Sequence, residues 1–125
     1  MKIKKKKKMK FTFKSEKDYD TRKKMSDEIL KTHPDKVPIV LEKDPTCKVE
    51  PLKKKNYLLE KKSTVGQFIL KIRNKIKIKE DEALFLEAKG KYAVFGEKLI
   101  GELYNSFKDD DGFLYIMYTT ELIYG

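Results

Sequence analysis

Cysteine occurs once, at Cys47, and histidine once, at His33. A lone thiol forms no internal disulfide, which suits a reducing compartment, and one Cys with one His falls short of a four-ligand zinc set. His33 precedes Pro34 at the end of a helical pattern and reads as a capping or surface residue, because catalysis needs a partner positioned beside it. No glycine-rich phosphate loop is present. Asp109-Asp110-Asp111-Gly112 lacks the alternating ligands and distal glutamate of a calcium loop, so it reads as a tight turn. Long apolar runs are missing as well: the longest is far short of the ~20 residues that a membrane-spanning helix needs. The N-terminus has no apolar segment of a secretory signal, Lys2 breaks the myristoylation pattern, and the last residues form no prenylation box. These absences point to a soluble protein that is not an enzyme and takes no cofactor.

What is abundant is charge. Lys and Arg number 30 against 20 Asp and Glu in 125 residues, but seven of the lysines crowd into residues 1–10, so the remainder is only slightly basic. Residues 1–10 read as a solvated, disordered basic tail. At roughly 1 kcal/mol for each lysine near an anionic leaflet, such a tail would hold the chain loosely at a membrane. Residues 11–125 are one domain's length.

Phe113-Leu114-Tyr115-Ile116-Met117-Tyr118 is an unbroken run of strand formers, which predicts a strand buried on both faces in mid-sheet, followed by a tail over 119–125. Towards the N-terminus, Phe11 and Phe13 precede Ser15, which with Asp18 predicts the start of a helix running to about Thr32. Its apolar stripe is Tyr19, Met25, Ile29 and Leu30, with Arg22 on the opposite, polar side. Lys36–Lys43 predicts a strand with Val37, Ile39 and Leu41 on one face and Val40 on the other, in which Pro38 must occupy a position whose N–H is unused. Tyr57-Leu58-Leu59, flanked by lysines, predicts a short edge strand. Thr64 and Gln67 form a capping box for a helix to about Ile76, with Val65, Phe68, Ile72 and Ile76 facing the core. A third strand at Leu84-Phe85-Leu86, a turn at Lys89-Gly90-Lys91, a short strand over Tyr92–Phe95 and a helix carrying Leu99, Ile100, Leu103 and Phe107 complete the order. Strand pair, helix, strands, helix and strand make an α+β pattern, and the ubiquitin-like β-grasp arrangement with an N-terminal helical extension (about 11–33) fits it.

Several segments carry a resemblance in consistent order: MKFTFKSE, Lys36-Val37-Pro38-Ile39-Val40 with Glu42-Lys43, Lys54-Lys55-Asn56-Tyr57-Leu58, Thr64-Val65-Gly66-Gln67-Phe68 with Ile72-Arg73, Glu82-Ala83-Leu84-Phe85, Gly101-Glu102-Leu103-Tyr104, Asp111-Gly112-Phe113-Leu114-Tyr115 and Tyr124-Gly125. From about Met9 onward the chain resembles the autophagy ubiquitin-like modifiers of the GABARAP type. The resemblance implies a monomeric cytoplasmic tag that an activating and a conjugating enzyme join through Gly125 to phosphatidylethanolamine on autophagosomal and other vesicle membranes. A cysteine protease processes or releases such tags.

It also implies capture of receptor peptides with an aromatic-x-x-aliphatic motif by strand addition. The first pocket maps to Met25, Ile29, Pro38, Val40, Leu58 and Phe113, although an acidic residue is usual where Met25 stands and a lysine where Asn56 stands. The second maps to Tyr57, Leu59, Phe68 and Ile72; Glu60, Ser63 and Lys71 replace apolar family residues there, which predicts a shallower or more polar pocket. Lys36, Lys54, Lys55, Arg73 and Lys75 would form a basic rim for acidic flanks of the peptide, with Arg73 foremost. Lys89–Lys98 departs from the family by an apparent insertion and the loss of a proline pair, and the fold is expected to survive this. The rival reading is a non-conjugated basic module for peptides or polyanions. Nucleic acid is not an expected partner, since Phe68, Phe85, Phe107 and Phe113 fall on core stripes and leave few aromatics for base stacking.

Overall fold

The computed structural model describes residues 11–122. The lysine run before Phe11, and Tyr124 with Gly125, lie outside the described residues. The elements in chain order are α1 (Thr12–Glu16), α2 (Tyr19–Thr32), β1 (Lys36–Lys43), β2 (Asn56–Glu60), α3 (Val65–Arg73), β3 (Glu82–Ala88), β4 (Tyr92–Val94), α4 (Ile100–Phe107) and β5 (Leu114–Leu122). The strands form one mixed sheet in the order β2-β1-β5-β3-β4. This is the expected α+β, ubiquitin-like arrangement with helices ahead of it.

β5 occupies the centre, parallel to β1 and antiparallel to β3. Its alternate residues serve two separate apolar clusters, which is why the sequence run is unbroken. Leu114, Ile116 and Tyr118 join Val37, Ile39 and Leu41 of β1 beneath α3 and α4. Phe113, Tyr115 and Met117 join Val40, Phe11 and Phe13, with Met25 and Ile29 of α2 packed against them. The strand does not stop where the sequence predicts a tail at 119: it continues to Leu122, and Thr119, Thr120, Glu121 and Leu122 pair with Phe85 to Glu82. Pairing with β1 ends at Tyr118, so beyond it the strand borders solvent on one side and its residues turn polar.

The N-terminal helix is two helices rather than one beginning at Ser15. Asp18, not Ser15, caps α2 by accepting from the Thr21 N–H at 2.8 Å, and that hydrogen bond holds its carboxyl below the usual range. α1 is capped from thirty residues away: the Glu42 carboxylate accepts from the Thr12 N–H at 2.8 Å and the Phe13 N–H at 2.9 Å. No local pattern signals such a cap.

Pro38 satisfies its constraint through strand alternation. Asp44 N–H donates across to Tyr118, so even-numbered β1 positions point their N–H side towards β5, and that pairing begins only at Ile39. α3 has the predicted Thr64–Gln67 capping box but ends at Arg73, with Ile76 still buried just beyond it. On α4, Ile100, Leu103 and Tyr104 are buried, whereas Leu99 is the exposed N-cap rather than a core residue. Lys89 (φ 58°) and Gly90 (φ 73°) are consecutive left-handed residues in the three-residue connection between Ala88 of β3 and its partner Tyr92 of β4, a conformation that costs glycine nothing. The departing loop after it is held: the Gly66 N–H donates to Gly96 O at 3.0 Å, and the Val65 N–H to Lys98 O at 2.9 Å. Among the described residues no helix is long and apolar enough to cross a membrane.

Candidate functional site

β2 lies at the edge of the sheet and pairs on one side only, with β1, in the register Pro38↔Leu58 and Val40↔Asn56. Its other side presents backbone donors and acceptors along a short strand, flanked by Lys53, Lys54 and Lys55 before it and Lys61 and Lys62 after it. Lysines beside an edge discourage pairing with neutral or basic strands while admitting an acidic one.

On the α2 face, the structure brings together four of the six residues of the first predicted pocket, Met25, Ile29, Val40 and Phe113, in one cluster. Pro38 is buried on the same face, and its cross-strand neighbour Leu58 is half-buried at the edge. The members that sequence reasoning did not anticipate are Phe11, Phe13, Tyr115 and Met117. Their rings pack edge-on, Phe13 to Phe113 at 5.1 Å and Phe11 to Tyr115 at 5.0 Å.

The polar supports of this face were also hidden. Arg22, expected on the outer side of the helix, is buried and donates from Nε to Asp111 Oδ2 at 2.8 Å. Its Nη1 donates to Lys17 O at 2.6 Å and Lys14 O at 3.2 Å. Burial alone would lower the Arg22 pKa, but the hydrogen bond and charge of Asp111 outweigh it and hold the guanidinium charged. Asp111 also accepts from the Phe113 N–H at 2.9 Å and from the Tyr115 hydroxyl. Burial, then this hydrogen bond, push the Tyr115 phenol far above its ordinary range. The Ser26 hydroxyl donates to Asp111 O. Gly112 sits at φ +90°, where a Cβ would collide with the Ser26 side chain. A spacing rule does not find the contacts of Arg22 and Ser26 with Asp111, whose partners lie over 80 residues apart; a local hint is a serine and an arginine four residues apart on one helix face.

On the α3 face the second predicted pocket divides. Phe68 and Ile72 are 2% and 1% exposed and belong to the core, so they back the surface rather than line it. Tyr57 is half-buried, with its ring edge-on to Phe68 at 5.6 Å. Leu59 lines a depression of about 450 Å³ beside β2, together with Lys36, Leu58, Glu60, Ser63, Gln67 and Lys71. The three residues that replace apolar family positions therefore all border this hollow.

The basic rim divides too. Lys55 bonds Thr12 Oγ1 at 2.5 Å and Glu16 Oε2 at 2.8 Å, tying β2's approach to α1. Arg73 donates to Glu82 O at 3.4 Å and is partly buried, which takes from it the foremost place that the sequence suggested. Lys36 borders the depression. Lys54 and Lys75 place their ammonium groups 5.0 Å and 5.1 Å from the Tyr57 ring centroid.

Residues 21–125 match the family model described as "Autophagy protein Atg8 ubiquitin like". The fold is similar to the crystal structure of Trypanosoma brucei ATG8, with 27% sequence identity and a TM-score of 0.83, covering 93% of this chain and 99% of that one.

Proposed function

Because the chain belongs to the ATG8 family of ubiquitin-like autophagy proteins, a family of modifiers rather than enzymes, we propose that it is conjugated through Gly125 to phosphatidylethanolamine on autophagosomal membranes and there recruits receptors and adaptors carrying aromatic-x-x-aliphatic motifs. The observation that carries the recruitment half is the one-sided pairing of β2 at the sheet edge. A peptide strand added there gains main-chain hydrogen bonds, and its alternate side chains meet apolar surface on either side of β2. Met25, Ile29, Pro38, Val40, Leu58 and Phe113 would take the aromatic side chain. Leu59, backed by Tyr57, Phe68 and Ile72, would take the aliphatic one in the hollow bordered by Glu60, Ser63 and Lys71. Of the rim, Lys36, Lys54 and Lys75 are better placed for acidic flanks than Lys55 and Arg73, which are engaged within the fold.

For conjugation, a terminal glycine suits threading into enzyme channels because it has no Cβ to crowd the backbone or the attacking group. The implied partners are the activating and conjugating enzymes of that pathway, a cysteine protease and the lipid itself. The protein would be cytoplasmic until conjugated, and its lysine-rich N-terminus would favour anionic membranes. The test is intact mass after incubating the protein and its Gly125→Ala variant with the family's conjugation enzymes, ATP and phosphatidylethanolamine vesicles. A lipid-sized gain in the parent alone is expected; no gain beside an active control overturns conjugation. Separately, Leu58→Asp should abolish binding of an aromatic-x-x-aliphatic peptide without affecting that mass gain.

A further inference from the structure

A second hollow, larger than the one beside Leu59, touches β2 only at Tyr57. A cavity of about 970 Å³ lies between the β1–β2 connection, the segment after α3 and the end of β5. Its size is at the upper end of ligand sites. Six lysines ring it, Lys48, Lys53, Lys54, Lys75, Lys77 and Lys79, against two glutamates, Glu50 and Glu82. Its floor is apolar, including Val49, Leu52 and Ile78, which pack against the main core.

Two further observations suit an acidic ligand. Among the described residues, none of the six lysines forms an ion pair; Glu82 instead accepts from the Lys79 backbone N–H at 3.0 Å. The Tyr57 hydroxyl, on the cavity wall, is buried without a hydrogen-bond partner among the described residues, and Lys54 and Lys75 lie across its ring. Those two cations are the groups an acidic ligand would draw aside. The wall itself is braced from behind. The buried Tyr118 hydroxyl accepts from the Leu52 N–H at 2.9 Å and donates to Glu50 O at 3.4 Å, fixing the β1–β2 connection against the sheet.

We propose that this cavity is a second docking surface, separate from the β2 edge, for an acidic protein segment whose aliphatic side chains enter the floor while its carboxylates meet the lysine ring. The concave shape selects the occupant. A bilayer is flat and meets cations that project from a convex face, whereas these cations surround a hollow with an apolar base. A purely polar polyanion would leave that base wet. The surface shares Lys53, Lys54 and Lys75 with the lysines around the β2 edge, but Lys48, Lys77 and Lys79 belong to it alone, so the two sites fail separately.

The probe is acetyl-Glu-Asp-Leu-Glu-Ile-Asp-amide, which has no aromatic-x-x-aliphatic motif, titrated into the full-length protein with backbone amide shifts followed by NMR. Expected shifts cluster at residues 48–54 and 75–79. The Lys77→Glu/Lys79→Glu variant should weaken binding about tenfold, as charge reversal at an electrostatic surface does, while Lys36→Glu leaves it unchanged. Replacing the leucine and isoleucine of the probe by serine should weaken it several-fold. Shifts confined to the β2 edge overturn the proposal, as does equal binding of the serine peptide, which would leave only a polyanion surface. So does stronger engagement of the same lysines by phosphatidylserine-containing vesicles than by the probe.

Discussion

The two faces of the sheet are covered by different physics. Under α3 and α4 the cover is apolar: Val65, Phe68, Ile72, Ile100 and Leu103 interlock with β1 and β5, the side-chain cap of α3 is a local box, and the bonds that tie the start of α3 to the loop after β4 are backbone to backbone. Under α1 and α2 the apolar cluster is smaller, and the helices are fastened by long-range polar bonds from Glu42, Arg22, Ser26 and Asp111. A single chain thus uses shape on one side and directed hydrogen bonds on the other. The first tolerates small changes in volume; the second depends on particular atoms.

The contrast is broken most directly at Arg22. Arg22→Met leaves the fully buried Asp111 carboxylate without its cation, and the expected loss is about 3–5 kcal/mol in urea unfolding. A loss below ~1 kcal/mol would mean that both faces are held alike. Leu103→Ala on the other face should cost somewhat less, about 3 kcal/mol. The sharper comparison is between conservative exchanges: Ile72→Val should cost ~1 kcal/mol, whereas Arg22→Lys loses the forked donors that reach Asp111, Lys14 and Lys17 together and should cost more.

Gly112→Ala should cost roughly 2 kcal/mol, from the left-handed backbone together with collision with Ser26. The same change in a Ser26→Gly background should cost measurably less, which separates the two causes. Tyr57→Phe removes a buried hydroxyl without a partner and should raise stability by about 1 kcal/mol; unchanged stability would show that the hydroxyl is solvated.

The smallest effect concerns the Lys14–Asp109 pair, 2.7 Å apart and partly exposed, worth about 0.5 kcal/mol. Burial pushes the Asp109 carboxyl up, but the hydrogen bonds from Lys14 and the Asp111 N–H, with the Lys14 charge, outweigh it and hold it below the usual range. A depressed carboxylate stabilises above its unfolded pKa of about 3.9 and loses that contribution as the pH falls through the native value. The stability difference between the parent and Lys14→Met should therefore be present at pH 7 and vanish in strong acid.

The same contrast governs how much the sequence disclosed. The apolar face was legible because its stripe, Val65, Phe68, Ile72 and Ile76, repeats at helical spacing and its cap is three residues from its partner. β5 was legible for a related reason, since a strand buried on both sides has no polar alternation. The polar face was not. Arg22 and Ser26 look like solvated residues of an amphipathic helix, and only the fold brings them to Asp111. Likewise Phe11 and Phe13, small handles in the sequence, prove to be the centre of a cluster because Glu42 draws α1 onto the sheet. At the candidate site the edge position of β2 was readable from its lysine flanks, while the division of the second pocket into core and surface was not, because spacing does not say which side of a ring faces out.

Among the strands, β5 leaves the ribosome last, yet it is the one that joins β1 to β3. Until it emerges, the nascent chain holds a β1–β2 pair and a β3–β4 pair with no ladder between them, and both apolar clusters lack their central members. Joining of the sheet therefore waits for β5, and a chain cut short before Leu114 would expose the inner faces of two unjoined hairpins to the cell's quality control.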